Sequence, residues 1–284
     1  MTTNVVGSGR RVERPSIRHK RPVGGRKGRG SRIAYQLGAI AIMLALWQGA
    51  VASGILSASA VASPSSIVAA TASVFQGPAF GAAVENTFVS WAEGLFVSLA
   101  VAIPLGVLLG TSALAYRMSR FSIDFLRTIP PVALIPLALL VYGATSKMVF
   151  LLVVFGSVWI VLLQSMYGVH QVDPAVLEVA RAYRLRRRDR VFRVILPSAA
   201  PFVATGIRLA ATVCLLLAIG GELIGGAPGV GNQITLLEQA GDISQMWVYI
   251  VLTAGFGVIV NIVMLRIERK ALKWHSAQRS VVTL

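Results

Sequence analysis

Glu93, Arg208 and Glu222 are ionisable residues that fall within or at the end of long apolar runs of this chain. A charge at the centre of a bilayer costs at least ~2.5 kcal/mol, so such residues mark a solute or ion pathway or else a pair satisfied inside the protein. Glu93 sits beside Trp91, and Glu222 closes an apolar run at its outer end. Either carboxylate can therefore rest near the membrane boundary, find a partner within the bundle, or touch what is transported. For Arg208, a buried stem with its guanidinium reaching to the membrane surface competes with a place on the pathway.

Catalytic chemistry has no foothold. A phosphate-binding loop needs Gly-Lys followed by Ser or Thr, and no lysine here follows a glycine. There is no HExxH pair and no GxSxG elbow. Cys214, the only cysteine, lies in an apolar run, and His19, His170 and His275 are far apart without ligand spacing. The expectation is a protein with no catalytic residue, no metal site and no bound cofactor of its own. If ATP drives it, another subunit binds the ATP.

The elements that must position these residues are membrane spans. Of 284 residues, 55% are apolar and 13% charged, against about 25% charged in soluble domains. Runs of about 20 apolar residues suffice to cross the hydrocarbon, and six are found, at 33–52, 84–110, 123–142, 149–169, 198–221 and 245–265. The third contains Asp124, Arg127, Pro130, Pro131 and Pro136, so its first turns are expected to be broken or interfacial. With six spans, 25 of the 27 Lys and Arg residues fall on one side, Lys147 alone on the other, and Arg208 within a span. Five spans would destroy that segregation. By the positive-inside rule both termini are cytoplasmic and the chain is a multi-pass protein of the plasma membrane.

The charge is most concentrated in residues 172–197, VDPAVLEVARAYRLRRRDRVFRVILP, an island between two spans. Asp173 is a suitable N-cap and Pro174 a suitable first helical residue, which predicts a short helix running toward Tyr183. Ala175, Val176, Val179, Ala180 and Tyr183 recur at helical spacing as an apolar face. A second basic piece, 186–194, is expected to end at Pro197. The spacing thus predicts a helix, a turn and a helix lying on the membrane surface.

Residues 1–31 are rich in Arg, Gly, Ser and Pro and read as a disordered cytoplasmic tail; 32–272 form the membrane domain and 273–284 a second cytoplasmic tail. The net charge of +16 would suit a nucleic-acid binder, but the first 31 residues lack Phe, Tyr and Trp for base stacking, so contact with anionic lipid explains the arm more simply. Outside, Pro64, Ser65 and Ser66 followed by 67–75 read as a capped short helix along the interface. The stretch GELIGGAPGVGNQI from Gly221 reads as a re-entrant turn. Gly106 and Gly110 form a close-approach pair, favouring packing within the chain over a dimer contact.

The island resembles the cytoplasmic loop signature of binding-protein-dependent ATP-binding-cassette importer permeases: Glu178, Val179, Ala180 and Arg181 stand for its Glu-Ala-Ala start, and Ile195, Leu196 and Pro197 for its end. The run from Ile129 to Gly143 and GELIGGAPGVG look like the nitrate, sulfonate and taurine branch. The resemblance implies an all-α membrane protein with the type I importer permease fold: six transmembrane helices and a cytoplasmic coupling helix-turn-helix. It implies cytoplasmic ATPase subunits that bind ATP and magnesium, a second permease copy or close relative, and an extracytoplasmic solute-binding protein. A small anion such as an aliphatic sulfonate, taurine or nitrate is the implied cargo, with pyrimidine-type vitamin precursors as the alternative. Val176, Glu178, Val179, Ala180, Arg181, Tyr183 and Arg184 are the implied coupling residues, with Val176, Val179 and Tyr183 as the docking face. Arg184 replaces the glycine usual after the start, so either the turn there stays right-handed or Arg184 reaches the ATPase in compensation. A secondary ion-coupled carrier is the competing reading, but it has no use for a docking loop.

Overall fold

The computed structural model describes residues 29–272, with side chains described from residue 34 onward. The arm over residues 1–28 and the tail at 273–284 lie outside the described residues. The chain divides into two compact units, Met1–Leu46 and Trp47–Leu284. Of the first, the described part is the opening of helix α1 (Arg29–Ala52), a candidate span whose apolar residues Tyr35, Leu37, Ile42 and Leu46 are exposed.

The second unit is helical nearly throughout. Long helices α3 (Pro78–Thr111), α6 (Ser146–His170) and α9 (Leu196–Gly225) form its core, α6 lying against both of the others. In a bilayer, helices gain little from burying apolar surface against one another, so close backbone approach decides which of them pair. Small residues provide it. A Cβ on Gly106 would come within 2.7 Å of the Leu162 carbonyl oxygen, one on Gly110 within 2.8 Å of Val169 Cβ, and one on Gly206 within 2.8 Å of Gln164 Cβ. The Gly106 and Gly110 pair is therefore a seam within the chain. At mid-seam the hydroxyls of Ser98 and Ser157 lie 2.6 Å apart, and Trp91 Nε1 donates to the Ala211 carbonyl at 2.8 Å, tying α3 to both partners.

Around this core the expected short helix appears as α2 (Pro64–Gln76), capped by the Ser63 side chain, which accepts from Ser66 N at 3.2 Å. With α10 (Val230–Gln239) and the start of α11 (Ile243–Ala271) it buries Ala62, Ile67, Val74, Ile234, Met246 and Tyr249 at one end of the bundle. Trp247 stacks obliquely on Trp47 at 5.4 Å and donates to the Ala60 carbonyl.

One expectation holds and one needs correction. First, the third span is broken in its early part, as its prolines predict. The chain forms α4 (Ala113–Leu126), breaks, and resumes as a 3₁₀ turn (Pro131–Leu134) and α5 (Ile135–Tyr142), the two arms bent by 73°. Pro130 and Pro131 supply no N–H, and a residue before proline is driven out of the helical region, so the break falls where the prolines lie. Among the described residues, five helices are long and apolar enough to cross a membrane, or six when this bent pair counts as one span. Second, Pro197 does not end the basic piece. Helix α8 (Arg187–Arg190) passes through a widened turn (Val191–Ile195) directly into α9. In a regular helix the Pro197 ring would clash with the carbonyl four residues back. The wide turn, in which Leu196 N–H reaches back five residues to the Val191 carbonyl, makes the room.

Candidate functional site

The basic island builds an element with two faces. Helix α7 (Pro174–Ala182) begins as the sequence predicts: the Asp173 carboxylate accepts from Ala175 N at 2.8 Å and Pro174 fills the first turn. On its inner side half-buried Leu177 packs against the cluster of Val107, Val169, Val172, Ile195 and Ala199 near the ends of α3, α6 and α9, and Ala180 is buried. Its outer side presents Val176, Val179 and Tyr183, which are 45%, 56% and 79% exposed. Glu178, Arg181 and Arg184 are exposed around them. The coupling residues thus gather on one short helix, with one correction. Ala180 does not share the outer surface but anchors α7 from beneath, because residues 176 and 179 turn outward while 177 and 180 turn in.

Helix α7 ends in a reversal that requires a left-handed residue. Leu185 N–H donates to the Ala180 carbonyl at 3.1 Å and Arg184 N–H to the Arg181 carbonyl at 2.9 Å, the paired bonds of a Schellman cap. The residue between helix and return strand of that motif must take positive φ, and here it is Arg184, at φ 53°, the sole non-glycine of this kind among the described residues. Of the two alternatives left open for this position, the right-handed turn is the one this φ excludes. An L-residue with a Cβ held there costs about 1 kcal/mol relative to glycine. Arg184→Gly is therefore expected to tighten the cap by about 1 kcal/mol, read as slower amide exchange at residues 184 and 185. Unchanged exchange would show that the turn carries no such strain.

The three candidate pathway residues do not come together. Arg208 and Glu222 lie on the same helix, about 21 Å apart by the helical rise. Arg208 Nε lies 3.1 Å from Glu268 Oε2 on α11, a cross-helix ion pair in which the arginine is 31% and the glutamate 14% exposed. That pair explains the arginine without a pathway, and Glu268 escaped notice in the sequence because it sits among the terminal charges. Glu93 is exposed on the outer side of α3, away from the three-helix core.

Glu222 is fully buried, at 0%. Its Oε2 accepts from Thr87 Oγ1 at 2.8 Å and from Gly231 N at 3.0 Å, while Thr87 Oγ1 in turn accepts from Val230 N at 2.9 Å. One carboxylate oxygen and one hydroxyl thus satisfy the two leading N–H groups of α10, and bind the α9–α10 turn to α3. The turn itself is cut to fit them. Gly226 takes positive φ at the end of α9, and a Cβ on Gly229 would overlap the Glu222 carboxylate. On Gly231 it would meet the Ile219 carbonyl and come within 2.8 Å of Leu223 N. Glu222 is thereby a clasp of the re-entrant turn. Thr87, Gly229 and Gly231 are members that sequence reasoning missed, although an acid followed by spaced glycines in an apolar turn was the signal.

Among the described residues no group of three or more His, Cys, Asp and Glu side chains could hold a metal. Residues 102–273 match the family of binding-protein-dependent transport system inner membrane components, and the chain belongs to that family. It is a permease of an ATP-binding-cassette importer, whose ATPase resides in a separate subunit. The chain is similar to the putative aliphatic sulfonates transport permease protein SsuC of Bacillus subtilis (strain 168), 29% identical over 84% of this chain and 86% of the relative. It is also similar to the nitrate import permease protein NrtB of Synechocystis sp., 25% identical over 78% of this chain and 83% of the relative. Among solved structures, an inward-facing form of the MetNI methionine ABC transporter superposes with a TM-score of 0.58 at 19% identity, over 66% of this chain and 94% of the other. Its fold is that of a type I importer permease.

Proposed function

We propose that α7 is the element through which this permease engages its ATPase, with Val176, Val179 and Tyr183 as the apolar contact and Glu178, Arg181 and Arg184 as its charged rim. The observation that carries this reading is the outward display of three large apolar side chains on a helix whose other side is already anchored. An apolar patch of this kind, ringed by charge, fits a protein groove. The segregation of Lys and Arg residues supports a cytoplasmic position for α7 and both termini, on the side of the ATPase. A second copy of the chain completes the solute pathway, and closure of the ATPases moves the two halves as rigid bodies. Glu93, on the outer side of α3, is the ionisable residue placed to face that pathway. An external binding protein selects the solute, and the named relatives point to a small anion such as an aliphatic sulfonate or nitrate.

The test is co-purification from membranes expressing the permease with its ATPase. Val176→Asp together with Val179→Asp is expected to reduce ATPase recovery at least tenfold, since burying two unpaired carboxylates in an apolar groove costs well over the ~1.4 kcal/mol that a factor of ten represents. Recovery at the wild-type level would remove α7 as the contact. Arg184→Gly separates cap from contact, because it keeps the left-handed turn and removes only the side chain.

A further inference from the structure

Behind α7, on the side away from Val176 and Val179, lies a cavity of about 700 Å³. The ends of α3 and α6 form its floor, and α7 and α8 its walls. Its lining has two characters. Leu108, Val169, Val172, Leu177, Val191 and Ile195 give it an apolar interior continuous with the ends of the spans. Arg181, Arg187 and Arg190, with the hydroxyls of Thr111 and Ser112, give it a cationic and hydrogen-bonding mouth.

Among the described residues no carboxylate lines this cavity. The nearest acid on α8, Asp189, turns instead to Arg193 at 3.5 Å. Arg190 is the half-buried member of the set: one terminal nitrogen makes a 3.5 Å contact with the Leu185 carbonyl, and its Nε is buried without a partner. Three guanidinium groups converging on one space repel one another, and a buried guanidinium N–H without an acceptor is costly. The arrangement is suited to an anion. The chain's own amino-terminal arm, residues 1–31, is a poor candidate for that anion, because it carries nine of the Lys and Arg residues and a single acid, Glu13.

We infer that this cavity is a binding site for the phosphate headgroup of an anionic membrane lipid. The guanidinium groups pair with the phosphodiester oxygens, while acyl chains run along the apolar residues at the ends of α3 and α6. A free inorganic anion would use only the cationic half of the lining; a lipid uses both. Cationic pockets between helices at the membrane edge are suited to such headgroups, and arginine to phosphate in particular. A lipid here would brace α7 from behind while its outer side stays free, and it would do so whether or not α7 is the ATPase contact.

The experiment uses the full-length chain in nanodiscs or mixed micelles, and native mass spectrometry counts retained phosphatidylglycerol against phosphatidylcholine. Wild type is expected to retain phosphatidylglycerol selectively. Arg187→Gln with Arg190→Gln is expected to weaken that retention about tenfold or more. Arg186→Gln with Arg188→Gln removes the same charge from residues that do not line the cavity, and is expected to change nothing. Arg187→Lys with Arg190→Lys should keep most of the binding, and Arg181→Gln, at the solvent-exposed mouth of the cavity, should lose several-fold with the fold intact. Equal losses in the two glutamine doublets would reduce the effect to diffuse charge and overturn the site. Displacement of the lipid by inorganic phosphate would overturn the lipid as ligand, and wild-type retention in every variant would overturn both.

Discussion

Glu222→Ala is expected to destabilise the bundle by about 3 kcal/mol and to loosen the α9–α10 turn from α3. Two losses add. The Gly231 N–H is left buried without its acceptor, a cost of about 1–3 kcal/mol, and the removed side chain leaves a cavity at a fully buried position. Thr87 is less affected, since its hydroxyl also donates to the Ala83 carbonyl at 3.1 Å. A gain runs the other way, because a carboxylate whose Oε1 has no partner is expensive to bury. Glu222→Gln separates the two effects. Its amide oxygen can take both donors at the Oε2 position while the formal charge is gone, so its stability should stay within about 1 kcal/mol of wild type. Thermal unfolding in detergent measures both. Alanine tolerated as well as glutamine would mean that the clasp contributes nothing.

Gly106→Ala is expected to cost about 2–3 kcal/mol although alanine is the better helix former. A methyl group at this position meets the Leu162 carbonyl oxygen at 2.7 Å, and backbone cannot rotate away as a side chain would. The α3–α6 seam must open instead, and with it the Ser98–Ser157 contact. Gly255→Ala on α11 is the control, because nothing lies within 4 Å of the added carbon. There only helix propensity acts, and a gain of up to about 1 kcal/mol is expected. The comparison is read in one unfolding series in detergent. Similar shifts in the two variants would show that α3 and α6 do not pack through Gly106.

These two results rest on parts of the fold that were unequally legible in the chain. The start of α7 could be read from Asp173 and Pro174 because capping is decided within one turn. The break near Pro130 was visible for the same local reason, but its 73° bend was not, since the angle depends on what the two arms pack against. Pro197 was misread as a stop because a proline usually ends a helix, and only the wide turn before it lets the chain continue. Arg184 shows the reverse case. Its side chain argues for a right-handed turn, yet the Ala180 and Leu185 pairing forces the backbone left-handed. Glu222 and Arg208 were conspicuous as charges in apolar runs, but Glu222 meets Thr87 from 135 positions away, and Arg208 meets Glu268 on another helix.

The sequence by itself determined the membrane class, the spans, the basic side and the two-helix form of the island. Each depends on apolar length, charge position or capping chemistry that a local window contains. The tertiary structure alone decided which glycines form the α3–α6 seam, which acid clasps α10, which side of α7 is left without a partner, and that three arginines share one cavity. Those outcomes turn on distances between segments remote in the chain, and helix packing, not residue type, sets such distances.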